Sequence, residues 1–444
     1  MKTGKTKSKR RGMVLPFVIS IAVVLAILGI GILQLGFGSR LVAAVTMSGI
    51  SARSAADGGI SQALHQMTQA LPPPGSGAIF NDSWIPYSSG ELSFPSSNSV
   101  ATYSYEITKG PVYAGRVYYL ITSTGTSGRE TRRVNALTTV QTMWFGIGVQ
   151  DTVNVHSSPD AEFTFLPFPE NSDDKGSVRT NSIANSAIWV GPNSTIQGQV
   201  LVGPGGNTET GIHEGPNSSI GSSGVAQSEL DFPPAVLPPA AGSWPTWSPN
   251  YVQLVNEDPV APVLITRALI ESGDYQLPNF SIEKDAGTTW TEVRIRGGVR
   301  LHASNEVRFY EGTKLIIEPG SALELFVGTD AGPTSPLTAY NGSEIITMDR
   351  ESWDLKIYGL PSCTSTGNSP TIALHNSGVF WGVIYAPSAN LVVDNTADFY
   401  GGFIGYSLTM MNNAVFHYDT RLYDLQNEGP LFFQINRWWE EVVP

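Results

Sequence analysis

Val299, Val307, Leu315 and Leu323 recur every eight residues, and each opens a short stretch in which apolar residues alternate with others. Between them lie Ala303-Ser304-Asn305-Glu306, Glu311-Gly312-Thr313-Lys314 and Glu318-Pro319-Gly320-Ser321, so the chain bends after every strand instead of running on. Three such steps make a repeat of 24 residues. The same 24 separates Gly191-Pro192-Asn193-Ser194-Thr195-Ile196 from Gly215-Pro216-Asn217-Ser218-Ser219-Ile220, and Phe380-Trp381-Gly382 returns as Phe399-Tyr400-Gly401 after 19. A unit this short cannot bury its own apolar face and has to stack on its neighbours. An antiparallel sandwich would account for the alternation but gives no reason for a fixed step. The spacing therefore predicts a parallel β-helix.

Composition agrees with a mainly β body. Charged residues make up 14%, below the usual share of about 25%, while Gly (46) and Pro (30) suit many short strands and tight turns. Lys2, Lys5, Lys7, Lys9, Arg10 and Arg11 form a basic head on a chain of net charge −12. Beyond the head the chain is more acidic still and would repel phosphates, so nucleic acid is excluded as a partner. The head reads instead as a membrane-orientation signal. A single cysteine, Cys363, rules out an internal disulfide.

From Met13 to Phe37 no residue is charged, and 25 residues at about 1.5 Å each give roughly 37 Å of helix, enough for a hydrocarbon core of about 30 Å. The expected anchor runs through Met13, Pro16, Phe17, Leu25, Leu33 and Phe37. With the basic head cytoplasmic, everything after Arg40 is sent across the membrane. The competing reading is a secretory signal cut near Ala43-Ala44.

The order of these features resembles type IV pilins and pseudopilins: a leader ending Arg10-Arg11-Gly12, then Met13-Val14-Leu15-Pro16-Phe17 opening an apolar helix. The resemblance implies cleavage by prepilin peptidase after Gly12, methylation of Met13, and a helix that serves first as membrane anchor and then as filament core. It departs from the family at Phe17, where Glu is usual. Ser54-Ala55-Ala56-Asp57-Gly58-Gly59-Ile60 is similar to the corresponding stretch of PilX-type minor pilins, and it also reads as a small-residue helix face ended by Pro72-Pro73-Pro74. Three alternating strands, 101–107, 116–122 and 129–142, resemble the sheet that closes PilX-like ectodomains. Further on, Trp381-Gly382-Val383-Ile384-Tyr385-Ala386-Pro387, Tyr400-Gly401-Gly402-Phe403-Ile404-Gly405 and Phe416-His417-Tyr418-Asp419 resemble adhesin-like or bactofilin-like β-helix domains.

The expected organisation is a leader over 1–12, a pilin-like transmembrane helix over 13–70, a small antiparallel module over 71–143 and a parallel β-helix over 144–427. A Pro-rich linker or lid interrupts the β-helix near 228–250, and an aromatic tail over 428–444 caps the last coil or forms a partner-docking patch. No catalytic, cofactor or metal site is expected. Asp394, Asp398, Asp419 and His417 are the carboxylates and base that glycoside hydrolysis would need, but the Asp-Asn-Thr-Ala-Asp turn has a conformational explanation. The six histidines (65, 156, 213, 302, 375, 417) lack paired ligand spacing, and Asn171, Asp173 and Gly176 fit a calcium loop only until Lys175 and Ser182. The expected function is a structural minor pilin-like protein of the bacterial inner membrane, single-pass, N-terminus cytoplasmic, displaying its body outside the cytoplasm or at the cell surface. Its expected partners are the membrane, other pilin-like subunits, prepilin peptidase, and a surface glycan or protein. The alternative is an anchored β-helix glycan binder or carbohydrate-active enzyme, which the aromatic row of Trp381, Tyr385, Tyr400 and Tyr406 would favour if these residues lie outside, half of them being expected in the core.

Overall fold

The computed structural model describes residues 14–76, 81, 85, 90–96, 99–113, 116–156, 164–168, 176–226, 229–238, 241–256, 263–328, 337–363, 372–375, 378–394, 396–425 and 430–441. The protein is mainly β and divides into two units, one formed by 1–66, 86–139 and 435–444, the other by 67–85 and 140–434.

The first unit places helix α1 (Val14–Gln69) with the antiparallel strands β1 (Gly90–Ser96), β2 (Ser99–Tyr113), β3 (Arg116–Ser127) and β4 (Glu130–Thr142). Small residues decide the packing. Ala52, Ala55, Ala56 and Ala63 are buried, and a side chain at Gly125 of β3 would collide with the backbone of Ala52 and Ala56. Tyr103, Tyr105, Tyr119 and Ile121 supply the sheet side of this core. The Ala-Ala-Asp-Gly-Gly stretch is thus a close-approach face. Before it, Phe37, Val42, Val45, Met47 and Ile50 are exposed on the same helix.

The structure corrects the expectation for the tail but not the one for the anchor. Among the described residues no helix is long and apolar enough to cross a membrane. The side chains of Pro16, Phe17, Leu25 and Leu33 lie outside the described residues, as do Gly12 and Met13 altogether. The aromatic tail does not cap a coil: Leu431–Glu441 is the fifth strand of the antiparallel sheet, beside β4. That pairing fills the free edge of β4, and Arg53 fastens it by ion pairing with Glu440 and lying 4.4 Å over the Trp438 ring.

The second unit is one sheet of 20 strands, joined almost throughout by parallel pairing into ten stacked tiers. The first two tiers are long bent strands, Val263–Ile282 and Trp290–Phe309. Next come Thr313–Ile317 with Ala322–Val327 and Leu337–Ala339, then Glu344–Thr347 with Leu355–Gly359 and Ile372–Leu374. Val379–Val393 and Asp398–Met411 form tiers five and six. The repeat spacings are registers of this sheet: Val299 pairs with Leu323, Ile196 with Ile220, and Phe380 with Phe399.

The seventh tier is built from both ends of the unit. Val415–Asp419 pairs with Asp398–Gly401, while Gly146–Val149 and Val153–His156 pair with the remainder of the same strand. The chain therefore enters the stack in its middle. It continues through Thr164–Phe168, Ser177–Thr180 and Ile188–Val190, then Thr195–Val202 and Ile212–Glu214, and ends at Ser219–Val225. To reach the first tier it must cross the outside of the stack, and the Pro-rich segment provides that path. Leu230 exchanges two 2.8 Å hydrogen bonds with the Asn181 side chain, and Pro233 O accepts from the Tyr385 hydroxyl at 2.5 Å. Trp244 packs edge-on against Phe326 and Trp247 against Phe280. Val252–Asn256 then pairs antiparallel with the first tier and closes it.

Candidate functional site

The tiers turn from their first to their second side by corners of unequal length. In the second tier the corner is Gly297-Gly298, in the third it is 318–321, and in the fourth it lengthens to 348–354. The longer corner folds back along the stack. Gly320 N, in the tier above, donates to Asp349 at 3.4 Å, and Ser352 Oγ donates to Asp419 Oδ2 at 2.7 Å three tiers below. Asp419 is fully buried and its carboxylate is held by Arg421 through Nε and Nη2, both at 2.8 Å. Arg421 also donates to Arg350 O and lies 4.9 Å over the Trp353 ring, which fixes that indole.

Beside this overhang is a cleft of about 350 Å³, toward the small end of the ~300–1,000 Å³ seen for ligand sites. Its floor is a row of outward side chains, one from each of four tiers: Asp274, Arg300, Glu324 and Lys356. Asp274 accepts from Arg300 at 2.7 and 2.5 Å, and this pairing raises the arginine's pKa. Trp353 and Asp354 form the wall. Burial, with Asp349 close by, pushes the Asp354 carboxyl up to about 7, and its Oδ2 is shielded without a hydrogen-bond partner. Asp349, Glu351 and Asp354 bring carboxylate oxygens within 4.8 Å of one another. Three such oxygens are the donor type hard cations take, but they fall short of the six to eight a calcium ion takes, and the Arg421 guanidinium already acts on Asp349 and Glu351.

The candidates named from sequence do not converge. Asp394 Oδ2 meets His375 Nδ1 at 2.9 Å, Asp398 is half-buried with its pKa raised by desolvation, and Asp419 is locked by Arg421. Asp398 is level with Val415, four residues from Asp419, which puts about 13 Å of strand between those positions. His417, Tyr418 and Asp419 go three ways: His417 stacks on Tyr400 at 4.1 Å, Tyr418 donates to Trp144 O at 2.9 Å, and Asp419 faces Ser352. Desolvation pulls the His417 pKa down to about 4. The aromatic row is not exposed either. Trp381 stacks on Tyr400 and is buried, Tyr385 is fully buried under the Pro-rich segment, and Tyr406 is the exposed member. Gly176 packs under Tyr418, while Asn171, Asp173 and Lys175 lie outside the described residues. Cys363 is buried with its thiol pushed up to about 12 by desolvation.

Sequence reading missed the cleft because its floor residues are 26, 24 and 32 positions apart. The available signal was charge alternating in sign at the repeat spacing.

Residues 257–425 match a family described as a domain of unknown function (DUF7305). No curated protein matches the chain. Among solved structures, it is similar to the crystal structure of competence-associated pilin ComZ from Thermus thermophilus, with 12% identity and a TM-score of 0.34, covering 89% of this chain and 97% of that one.

Proposed function

We propose that this chain is a structural, pilin-like protein of the bacterial envelope, of the PilX-type minor class, whose parallel stack is a β-helix displayed outside the cytoplasm. The observation that carries the reading is the division of labour along α1. Its later part is small-faced and seats on the sheet at Gly125, while its earlier part leaves Phe37, Val42, Val45, Met47 and Ile50 in the open. Large apolar side chains left uncovered on one helix call for lipid or for neighbouring helices. The leader ending at Gly12 supports the same reading, with the membrane, prepilin peptidase and other pilin-like subunits as partners. Wrapping of three-sided tiers at spacings near 24 residues supports the β-helix. The role is assembly or adhesion rather than catalysis, in keeping with an Asp419 already committed to Arg421.

Determining the mature N-terminus in cells with and without prepilin peptidase tests this. A methylated Met13 that depends on the peptidase is expected. An N-terminus near Val45 would overturn the reading in favour of a cleaved secretory signal, and an intact Met1 would leave a plain anchor outside any filament.

A further inference from the structure

We propose that the cleft walled by Trp353 and Asp354 and floored by Asp274, Arg300, Glu324 and Lys356 binds a neutral saccharide. This deepens the display reading and rests on it for the setting, since only a body outside the cytoplasm meets envelope or surface glycans.

The floor alternates in sign, tier by tier, at the strand spacing of about 4.8 Å. Two anions and two cations leave no net charge to attract a phosphate, a sulfate or a metal ion. Each pair is compensated along the row: Asp274 with Arg300, Arg300 with the field of Glu324, and Lys356 with that of Asp354. What the row does offer is acceptors and donors side by side in a fixed order. Hydroxyl groups both donate and accept, so a polyol can satisfy carboxylate and ammonium neighbours in turn, where a simple anion or cation would be repelled by every second residue. With its pKa near 7, Asp354 is about half ionised near neutrality and presents either an acid proton or an acceptor oxygen. The indole of Trp353 adds an apolar surface for the C–H face of a sugar ring, and the Arg421 contact holds it in place before any ligand arrives. The polar groups sit on stacked strands rather than on a loose loop, so little ordering is needed on binding.

The full chain, kept in a detergent without a sugar headgroup, is titrated by calorimetry and saturation-transfer NMR with maltotriose, cellotriose and N,N′,N″-triacetylchitotriose. Galacturonic acid trimer and a sulfated heparin disaccharide are the charged comparisons. One of the neutral trimers is expected to bind with a dissociation constant of about 1 mM or tighter, ahead of both anions. Trp353→Ala and Lys356→Met should each weaken it about tenfold, whereas Trp189→Ala, on a different side of the stack, should not. Unchanged thermal unfolding of Lys356→Met separates lost binding from lost fold. The proposal is overturned if none of the neutral trimers binds, if an anion binds best, or if the cleft variants bind as the parent does. Saccharide binding by a chain that retains Met1 would sink the filament reading and leave the cleft standing. A methylated Met13 on a chain blind to all three trimers would do the reverse.

Discussion

The upper and lower tiers of the stack solve one problem in opposite ways. Parallel strands in register place each outward side chain directly on the equivalent one of the next tier. In the upper tiers these neighbours are charged and alternate in sign, Arg267 on Glu292 on Lys314 on Glu344, and Asp274 on Arg300 on Glu324 on Lys356. In the lower tiers two such columns are neutral and alike, although elsewhere Arg179 lies beside Leu201 and Trp189 beside His213. Asn217 Nδ2 donates to Asn193 Oδ1 at 3.2 Å, and Ser219 Oγ donates to Thr195 Oγ1 at 3.2 Å. An amide or hydroxyl both donates and accepts, so it can sit on a copy of itself; a carboxylate cannot. Exact repetition is therefore allowed below and forbidden above. A slip by one tier would be resisted in the upper block by like charges and tolerated in the lower.

The sharpest way to break this comparison is at the column both blocks share. Phe399 is fully buried between Phe380 and Phe416 at 4.7 and 4.6 Å, next to the composite tier. Phe399→Ala should cost about 3–5 kcal/mol in urea unfolding, in one transition if both blocks melt together. Two separated transitions would show the blocks to be independent. Glu292 comes next: it is buried and held by Arg267 and, at 2.9 Å, by Arg294. Its replacement by Ala leaves two half-buried cations facing each other, with an expected loss of about 2–3 kcal/mol.

The corner 348–354 breaks the alternation rule, because Asp349, Glu351 and Asp354 crowd like charges together. Asp354 has a folded pKa of about 7 against 3.8 for the free group, so the folded chain keeps a proton that the unfolded chain has lost. Stability from this group accordingly falls as pH rises from about 4 to about 7. Asp354→Asn should raise the melting temperature at pH 8 and change it little at pH 4. His417 has the opposite sign: its folded pKa of about 4 lies below 6.5, so stability is lost as pH falls through that interval, and His417→Gln should flatten that limb. The smallest effect is expected at Asn217, which has φ near 60° and stacks on Asn193. Asn217→Ala should cost about 1 kcal/mol and Asn217→Gly less, measured by the same urea midpoints.

The same contrast explains what could be read in advance. The Gly-Pro-Asn-Ser repeats stand out in the sequence because neutral polar ladders permit copying, and the spacing of 24 that they share with Val299 and Leu323 is the sheet's register. The cleft stayed hidden because its floor depends on a difference between tiers rather than a likeness. Its wall depends on one corner being longer than its neighbours, and corner length says nothing of where the extra residues fold until Asp419 and Arg421 are in place. Which of Trp381, Tyr385, Tyr400 and Tyr406 lie in the core stayed open for a related reason: alternation marks which residues point out, while the Pro-rich segment, more than a hundred residues away, determines that Tyr385 is covered.

By itself, the sequence determined the local matters: short strands, bends between them, a repeat near 24 residues, and a small-residue helix face, all set by side-chain size and polarity over a few positions. The tertiary structure alone decided the order of stacking. Nothing local specifies that Gly146–Val149 should lie under Phe403–Gly405, or that Leu431–Glu441 should leave the stack for the edge of β4. Those pairings join residues about 260 and 300 apart, and they are chosen by which open strand edges and apolar ends remain once every nearer contact has formed.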